Sequence, residues 1–483
     1  MDNNWTLRPE FWNDDWTDLP EWKFEQGLRL SDRSTRTWVV KLTFVKNGNE
    51  CTGTGFFVNL PGANIIIKEG EPGIPVDVIL TAGHNLIDHG RMRTTDLKIH
   101  FLAVQQEETK DEGDQGHKEH RKIQDLEQIV EIEDAWRVCI SPPYENDPRE
   151  RKRDSKHDWG AIFISQEGEH HHPGFQLNLF YALNTKDGHG PVDDLLKACN
   201  VHVEGYRIGT KVGSPAVSSG KGEVKTPHQL QYHAETEQGI SGSPVWAASN
   251  GQEVVLAIHT TGQLPKKSGG VRLSYEVLDT LFRWTNVGYR SSTLRVHHRV
   301  KNPNSKPTKS NAGKSKEPKK TPLDPLYLRF PDPDSDAVVR LGKDRQNTAF
   351  DIIPAVTQYG NDRLLYAFRV SHPASWAKQR GTEHLWVVWD SDRDRAVLSP
   401  TLHASSLVIL EPKKTNGLQQ PLRDFWLVTA GPDGQSKREL AMGWNGIDED
   451  DVFLGVPIES SEVSFQPVKR IAGVHQFVFE AFD

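Results

Sequence analysis

The sequence predicts an all-β chain, with closed antiparallel sheet in its N-terminal part and a separate β-rich domain towards its C-terminus. Three observations predict it: apolar and polar residues alternate with period two in many short runs, turn residues separate those runs, and composition shifts abruptly between Arg299 and Pro322. Alternation of that period marks half-buried strands. Short strands punctuated by turns favour closed antiparallel architectures.

Residues 1–34 carry Trp5, Trp12, Trp16 and Trp22 among acidic side chains without a clean period, and read as an extension whose indoles pack on the next domain. Alternation begins at Trp38-Val-Val-Lys-Leu-Thr-Phe44 and resumes in Gly55-Phe-Phe-Val58. Further strands are expected at Val78–Leu80, Leu97–Phe101, Gly160–Ile164, Val201–Val203, Leu230–Tyr232, Pro244–Trp246 and Val254–Ile258. The run from Gln105 to Gln128 is dense in charge and contains Gly113 and Gly116, so it reads as a surface excursion with a short helix near its end.

One domain is therefore expected over residues 35–298. Between 299 and 322, eight Lys or Arg, one Glu and repeated Pro, Ser and Asn leave no apolar face to bury, the composition of a solvated linker. Its net charge of +7, set against −8 for the whole chain, leaves −15 on the remainder, so this stretch could also fold back on an acidic surface or contact a polyanion. Residues 323–483 return to strand patterns at Leu385–Trp389, Phe425–Val428, Val463–Phe465 and Phe477–Phe479, and are expected to form a sandwich, a candidate module for a protein or ligand partner.

A length of 483 residues exceeds what one hydrophobic core usually organises, and 26% charged with 36% hydrophobic residues is ordinary for a globular chain. Apolar runs stay at strand length, far below the roughly 20 residues that span a bilayer. The start, Met-Asp-Asn-Asn-Trp5, has neither the basic beginning nor the apolar core of a secretory signal, and three cysteines, Cys51, Cys139 and Cys199, build no disulfide framework. The expectation is a cytoplasmic protein. Its negative net charge gives no general pull towards nucleic acid or anionic membrane, so neither is an expected partner. His170-His-His172 and the pair His117 and His120 lack companion ligands at site spacing, so neither metal nor cofactor is expected.

Three segments carry the chemistry. Ile79-Leu-Thr-Ala-Gly-His84 is an apolar strand that ends in a tight turn and presents a histidine. Asp158, in His157-Asp-Trp-Gly-Ala-Ile-Phe163, sets a carboxylate at the head of a second apolar strand; Asp88, four residues past His84, is the weaker rival. Gly239-Ile-Ser-Gly-Ser-Pro-Val245 is the most specific, because glycines on both sides of Ser241 let the backbone turn sharply, expose Oγ and aim successive N–H groups at one point. Serine needs an adjacent base, and the base needs a group that fixes its tautomer.

The order His, Asp, Ser, with separations of 74 and 83 residues, resembles the chymotrypsin-like serine protease family over roughly residues 35–290. That resemblance implies two antiparallel six-stranded β-barrels, a triad of His84, Asp158 and Ser241, and an oxyanion hole made by the N–H groups of Gly239 and Ser241. Within the family the likeness is to bacterial glutamyl endopeptidases. Their Tyr, Thr and Gly-x-Ser-Gly-Ser-Pro-Val pattern is matched by Tyr232, Thr236 and Gly239–Val245, their Val-x-Gly-Tyr turn by Val203-Glu-Gly-Tyr206, and their Gly-Ile-His strand by Ala257-Ile-His259. Ala257 in place of glycine, Ile240 before the serine and a longer hairpin are departures.

The resemblance implies that His259 and Thr236 line the P1 pocket, where an imidazole can donate to a substrate carboxylate, so Glu or Asp is the expected P1 residue. Viral chymotrypsin-like cysteine proteases use a similarly placed histidine to read Gln, the competing choice. A protein or peptide is then the substrate, cut by a serine endopeptidase; an inactive, peptide-binding protease fold is the alternative. Ile240 stands where trypsin-type zymogens carry an aspartate, so activation through a new N-terminus is not expected.

An acidic P1 preference would make the linker hazardous to its own enzyme. Its one acid and the next two along the chain, Glu317, Asp324 and Asp332, are each followed by proline, which lacks an N–H and restricts the chain. Replacing Pro318, Pro325 and Pro333 by alanine should therefore let the purified chain cut itself after those acids, while the same variant carrying Ser241→Ala stays whole; mass spectrometry of the incubated chains checks it.

Overall fold

The computed structural model describes residues 35–68, 71–87, 93–108, 121–149, 153–166, 172–183, 190–249, 252–262, 267–298, 326–329, 340–342, 349–357, 364–371, 384–390, 395–402, 407–412, 424–429, 440–444, 463–467 and 477–482. The chain parts between Val287 and Gly288 into two compact units. The first unit holds two antiparallel sheets.

The first sheet comprises β1 (Val39–Lys46), β2 (Asn49–Val58), β3 (Asn64–Ile65), β4 (Ile74–Thr81), β5 (Thr95–Glu108), β6 (Arg121–Glu131), β7 (Val138–Ile140) and β8 (Gly160–Ser165). Asn47-Gly48, both at positive φ, join β1 to β2, the pair that a two-residue hairpin turn of matching twist requires. Strand order is β6-β5-β1-β2-β4-β8-β7, with β3 appended to β4. The chain passes from β6 to β7 within six residues, and Ile132 N–H still bonds Leu97 O at 2.9 Å. The two ends of the sheet thus belong to one bent segment, which leaves six strand positions around a curled sheet. Val40, Leu42, Phe57, Ile79, Ile99 and Ile162 are buried inside it.

The second sheet comprises β9 (Val201–Gly205), β10 (Ala216–Gly220), β11 (Gly222–Thr226), β12 (Gln229–Tyr232), β13 (Pro244–Ser249), β14 (Gln252–Thr261) and β15 (Ser268–Arg272). Their order is β10-β9-β13-β14-β15-β12-β11, and only Lys221 separates β10 from β11. One bent strand again occupies both ends, so seven segments fill six positions. Val203, Leu230, Tyr232, Val245, Leu256 and Ala257 are buried within it. The alternation read from sequence is what fills both interiors, since alternate residues of each strand share a face.

The described residues of the segment expected as a charged excursion, Gln105–Glu108 and Arg121–Gln128, are strand, including the end where a short helix was expected. Residues up to Glu108 and from Arg121 pair without interruption from Lys98↔Glu131 to Glu108↔Arg121, which sets residues of opposite charge in register along a long hairpin. Dense charge hid a strand whose partner lies in its own hairpin. Residues 109–120, with His117 and His120, lie outside the described residues, as do Asp88, His170, His171, the extension 1–34 and the linker 299–322.

The second unit is also antiparallel β. Tyr289–His298, placed by the sequence reading in the first domain, pairs with Leu326–Arg329, Ala349–Thr357 and Phe477–Phe482, so that domain ends about ten residues earlier than expected. Among the described residues, pairing runs through one sheet whose ends meet: Tyr289–His298, Ala349–Thr357, Leu364–Val370, Val408–Pro412, Asp424–Thr429 and Phe477–Phe482, the last pairing back to the first, in keeping with the expected separate β-rich domain. Phe350, Ile352, Leu365 and Phe368 are buried there, with an ion pair of Arg369 and Asp351, whose carboxylate also accepts from Ser371 Oγ. Among the described residues no helix is long and apolar enough to cross a membrane.

Candidate active site

His84 sits in a single helical turn that ends β4, within the tight Ala-Gly-His-Asn sequence. Asp158 follows the turn Ser155–His157 and stands two residues before β8, the neighbour of β4. The carboxylate grips the histidine twice: Oδ1 accepts from His84 N–H at 2.8 Å, and Oδ2 lies 2.7 Å from Nδ1. Asp158 is 5% exposed, whereas 31% of the His84 side chain is open to solvent. With Nδ1 directed at a carboxylate, the other ring nitrogen is the one left to act on a substrate.

Further groups hold this pair. Lys46 Nζ donates to His84 O at 2.9 Å. Asp147 accepts from Arg149 Nε and Nη2 and from the N–H groups of Arg149 and Asp154, which orders the segment leading to Asp158; the guanidinium and these amides hold its carboxyl well below the usual range. Burial, and then the Asp158 charge, push the Tyr144 phenol up. Trp159 lies 5.0 Å, ring to ring, from Trp284 in the helix Tyr275–Trp284.

The loop that carries Ser241 enters between the two sheets' strands. Gly239 and Gly242 have φ of 98° and 93°, a region that L side chains rarely adopt. At Gly242 space is also lacking, since a Cβ there would lie 2.0 Å from Thr54 O. Ser243 Oγ and N–H both bond Ile240 O, at 2.6 and 3.0 Å, and close the turn. The N–H groups of Ile240, Gly242 and Ser243 donate to Glu237 O, His259 O and Ile240 O. Those of Gly239 and Ser241 have no partner among the described residues. From Gly239 to Gly242 open and engaged N–H groups alternate, and the two open ones are those expected to stabilise an oxyanion.

Sequence reasoning missed the polar lattice beneath this loop. Ser241 O accepts from Thr54 N–H and Asn85 Nδ2, each at 2.9 Å. Thr54 Oγ1 donates to Gly239 O at 2.9 Å and accepts from Tyr206 N–H at 3.0 Å. Thr81 Oγ1 donates to Thr54 O at 2.6 Å and accepts from Asn85 Nδ2 at 3.1 Å. All three side chains are buried. The available signal was the polar pair Thr81 and Asn85, spaced i, i+4 where an otherwise apolar strand ends. The Ser241 hydroxyl makes no hydrogen bond to the His84 ring among the described contacts, and such bonds commonly close only with substrate seated.

His259, on β14, is 2% exposed, and its Nδ1 lies 2.5 Å from Tyr232 Oη. The fully buried phenol has no other acceptor among the described residues, so Tyr232 donates, Nδ1 accepts, and the imidazole proton rests on Nε2. Burial, with a smaller contribution from His84, lowers the His259 pKa to about 3, and burial raises the Tyr232 phenol well above its ordinary value. Ser268 Oγ donates its one proton to Ala234 O at 2.9 Å, so Thr236, 3.0 Å away, donates to Ser268 and turns only lone pairs outward. A Cβ on Gly262 would lie 2.0 Å from Thr236 Oγ1 and 3.7 Å from His259 Cε1, so this glycine borders both side chains. Ser268 is a further residue that the sequence reading did not reach.

Among the described residues no cluster of His, Cys, Asp or Glu is arranged to hold a metal ion, and Cys51, Cys139 and Cys199 are unbridged. His172 stacks on Phe57 at 4.5 Å, away from any such cluster.

Comparison with known proteins points to proteases as a class. No family profile matches the chain. A curated relative is the glutamyl endopeptidase of Bacillus licheniformis, 29% identical over 143 residues that make up 28% of this chain and 42% of that protein. The match supports the resemblance to chymotrypsin-like proteases read from the sequence, and the chain spans less than half the relative's length. Solved structures with some similarity include a thermostable serine protease from an extremophilic microorganism, at 13% identity and a TM-score of 0.34 over 52% of this chain and 98% of that one. A Glu endopeptidase structure has 16% identity and a TM-score of 0.31 over 52% and 94%.

The buried His259 makes stability depend on pH. The unfolded chain takes up a proton near 6.5, whereas the folded one resists until about 3, so this contribution is complete above 6.5 and is lost as pH falls towards 3. Denaturant titrations of the full chain at pH 4, 5 and 6 should show unfolding free energy falling with acid, and His259→Gln should flatten that slope by at most about 1.4 kcal/mol per pH unit.

Proposed function

We propose that the chain is a chymotrypsin-like serine endopeptidase in which Ser241 attacks, His84 shuttles the proton and Asp158 orients and stabilises the base. The observation that carries this reading is the pair of open N–H groups at Gly239 and Ser241, in a turn where those of Ile240, Gly242 and Ser243 are engaged, beside a histidine gripped twice by a buried carboxylate.

As Ser241 Oγ bonds to the scissile carbonyl carbon, His84 Nε2 takes its proton. The ring becomes cationic, and Asp158, already 2.7 Å from Nδ1, stabilises that charge without taking the proton. Negative charge on the carbonyl oxygen falls to the Gly239 and Ser241 N–H groups, an arrangement in which one donor typically contributes 10²–10³ in rate. Collapse of the tetrahedral intermediate breaks the C–N bond, and the leaving amine collects the proton from His84. A water then repeats the sequence on the acyl-enzyme and releases Ser241.

For specificity, we infer that His259 Nε2–H reads an acidic P1 side chain, in keeping with the relative's name, glutamyl endopeptidase. One observation favours a second reading, Gln: burial keeps the donor neutral, and a neutral N–H serves a carboxamide oxygen as well as a carboxylate.

Ser241→Ala and His84→Ala should each lower kcat by about 10⁶, and Asp158→Asn by about 10⁴. A serine-reactive phosphonate should label the native chain and spare Ser241→Ala; failure to label the native chain would favour an inactive peptide-binding fold. A peptide library scanned at P1 separates Glu and Asp from Gln. Because His259 is neutral across pH 5.5–8, the ratio of kcat/KM between Glu and Gln substrates should stay constant over that range.

A further inference from the structure

The residue after the proposed base reaches the nucleophile. Asn85 is 2% exposed, and both protons of its amide are engaged: one goes to Ser241 O at 2.9 Å and the other to Thr81 Oγ1 at 3.1 Å. Its own carbonyl accepts from Thr94 Oγ1 at 3.2 Å, which fixes the backbone from which the side chain projects. The amide therefore spans from the turn of His84 to the backbone of Ser241 through a single side chain. Gly53, on β2, gives way to it: a Cβ there would lie 2.6 Å from Asn85 Nδ2 and 2.8 Å from Cγ.

The Ser241–Gly242 peptide is held at both ends. Its C=O receives Thr54 N–H and Asn85 Nδ2 from the first sheet and its border, and its N–H donates to His259 O of the second sheet at 2.7 Å. Of the two donors to the carbonyl, Thr54 N–H belongs to a strand and is indifferent to the position of His84. Only Asn85 is bonded in sequence to the histidine. From this geometry we infer that Asn85 is a positioning residue: it sets the Ser241 backbone, and with it the hydroxyl and its open N–H, relative to His84. The inference rests on the proposed protease chemistry, and it assigns to a neutral amide a role outside the triad.

Three consequences separate this role from mere packing. Without the amide, Ser241 keeps one donor and its seat loosens by a fraction of an ångström, an error that costs about 10–100-fold in rate when reacting groups must align. Substrate binding at His259 does not depend on Asn85, so the loss falls on kcat. Space vacated by Asn85 becomes available to a side chain at position 53, whose hydroxyl would stand where the amide nitrogen was.

The test uses the full chain with an acidic and a glutamine P1 peptide, measured beside the native protein. Asn85→Ala should lower kcat about 10–100-fold with KM within about twofold, and slow phosphonate labelling of Ser241 by a similar factor. Gly53→Ser combined with Asn85→Ala should recover most of the loss, whereas Gly53→Ala with Asn85→Ala, which fills the space without a donor, should not. Hydrogen exchange of the Gly242 amide should quicken in Asn85→Ala and slow again in the serine rescue, a readout that needs no activity. If Asn85→Ala fails to fold, Asn85→Ser, which keeps a short donor, and its combination with Gly53→Ser are compared instead. Unchanged kcat and exchange in a folded Asn85 variant, or equal rescue by Gly53→Ala, would overturn the inference while leaving the protease reading in place. A native chain that neither cleaves nor labels would overturn both.

Discussion

The peptide between Ser241 and Gly242 is the point on which the site depends. Its carbonyl is bound by Thr54 N–H and Asn85 Nδ2, its amide by His259 O, and the left-handed backbone at Gly242 brings it within reach of Thr54 O, where no Cβ would fit. Thr54, Asn85 and His259 come from three different pieces of chain: β2, the turn after β4, and β14. Two curled sheets are needed because neither alone could present both a histidine–carboxylate pair and a serine loop to one spot. A loop is otherwise among the more mobile parts of a fold; buried hydrogen bonds on both sides of one peptide remove that freedom where the chemistry needs it absent.

The interior of the lattice is polar yet satisfied. Thr54, Thr81 and Asn85 are buried, and each of their side-chain protons has an acceptor: Gly239 O, Thr54 O, and the pair Thr81 Oγ1 and Ser241 O. Burying such groups unpaired would cost about 1–3 kcal/mol each, so satisfaction selects one arrangement over its neighbours. The same logic governs the candidate pocket, where the Tyr232 phenol fixes the His259 tautomer and Ser268 fixes the direction of the Thr236 hydroxyl.

Much of the first unit was legible because its strands are half-buried and alternate, and because glycines around Ser241 mark a backbone that must turn. Val39–Lys46, Gly160–Ser165 and Gln252–Thr261 fall where alternation or apolar runs put strands. The approach of His84 to Asp158 was likewise legible, since strand ends that carry them are neighbours in a common protease pattern. What stayed hidden has a physical reason in each case. Residues 121–131 pair with 98–108 through backbone bonds that charge density does not reveal, and Tyr289–His298 looks like the last strand of one domain because its partners lie far along the chain. Asn85 and Ser268 escaped notice because a buried hydrogen bond depends on where two distant segments meet, which period and composition do not encode.

His259 enters the site by two routes. Its side chain faces the candidate pocket, whereas its backbone carbonyl, accepting from Gly242 N–H at 2.7 Å, holds the loop of the serine. A carbonyl is common to all amino acids. The position can therefore exchange its side chain, and with it the preference for one substrate over another, without dissolving the bond that seats the serine. Under the proposed chemistry, selectivity and reactivity are adjacent in space but separable in inheritance, so a lineage could retune what is cut by single substitutions on this strand while the apparatus proposed to cut is passed on unaltered.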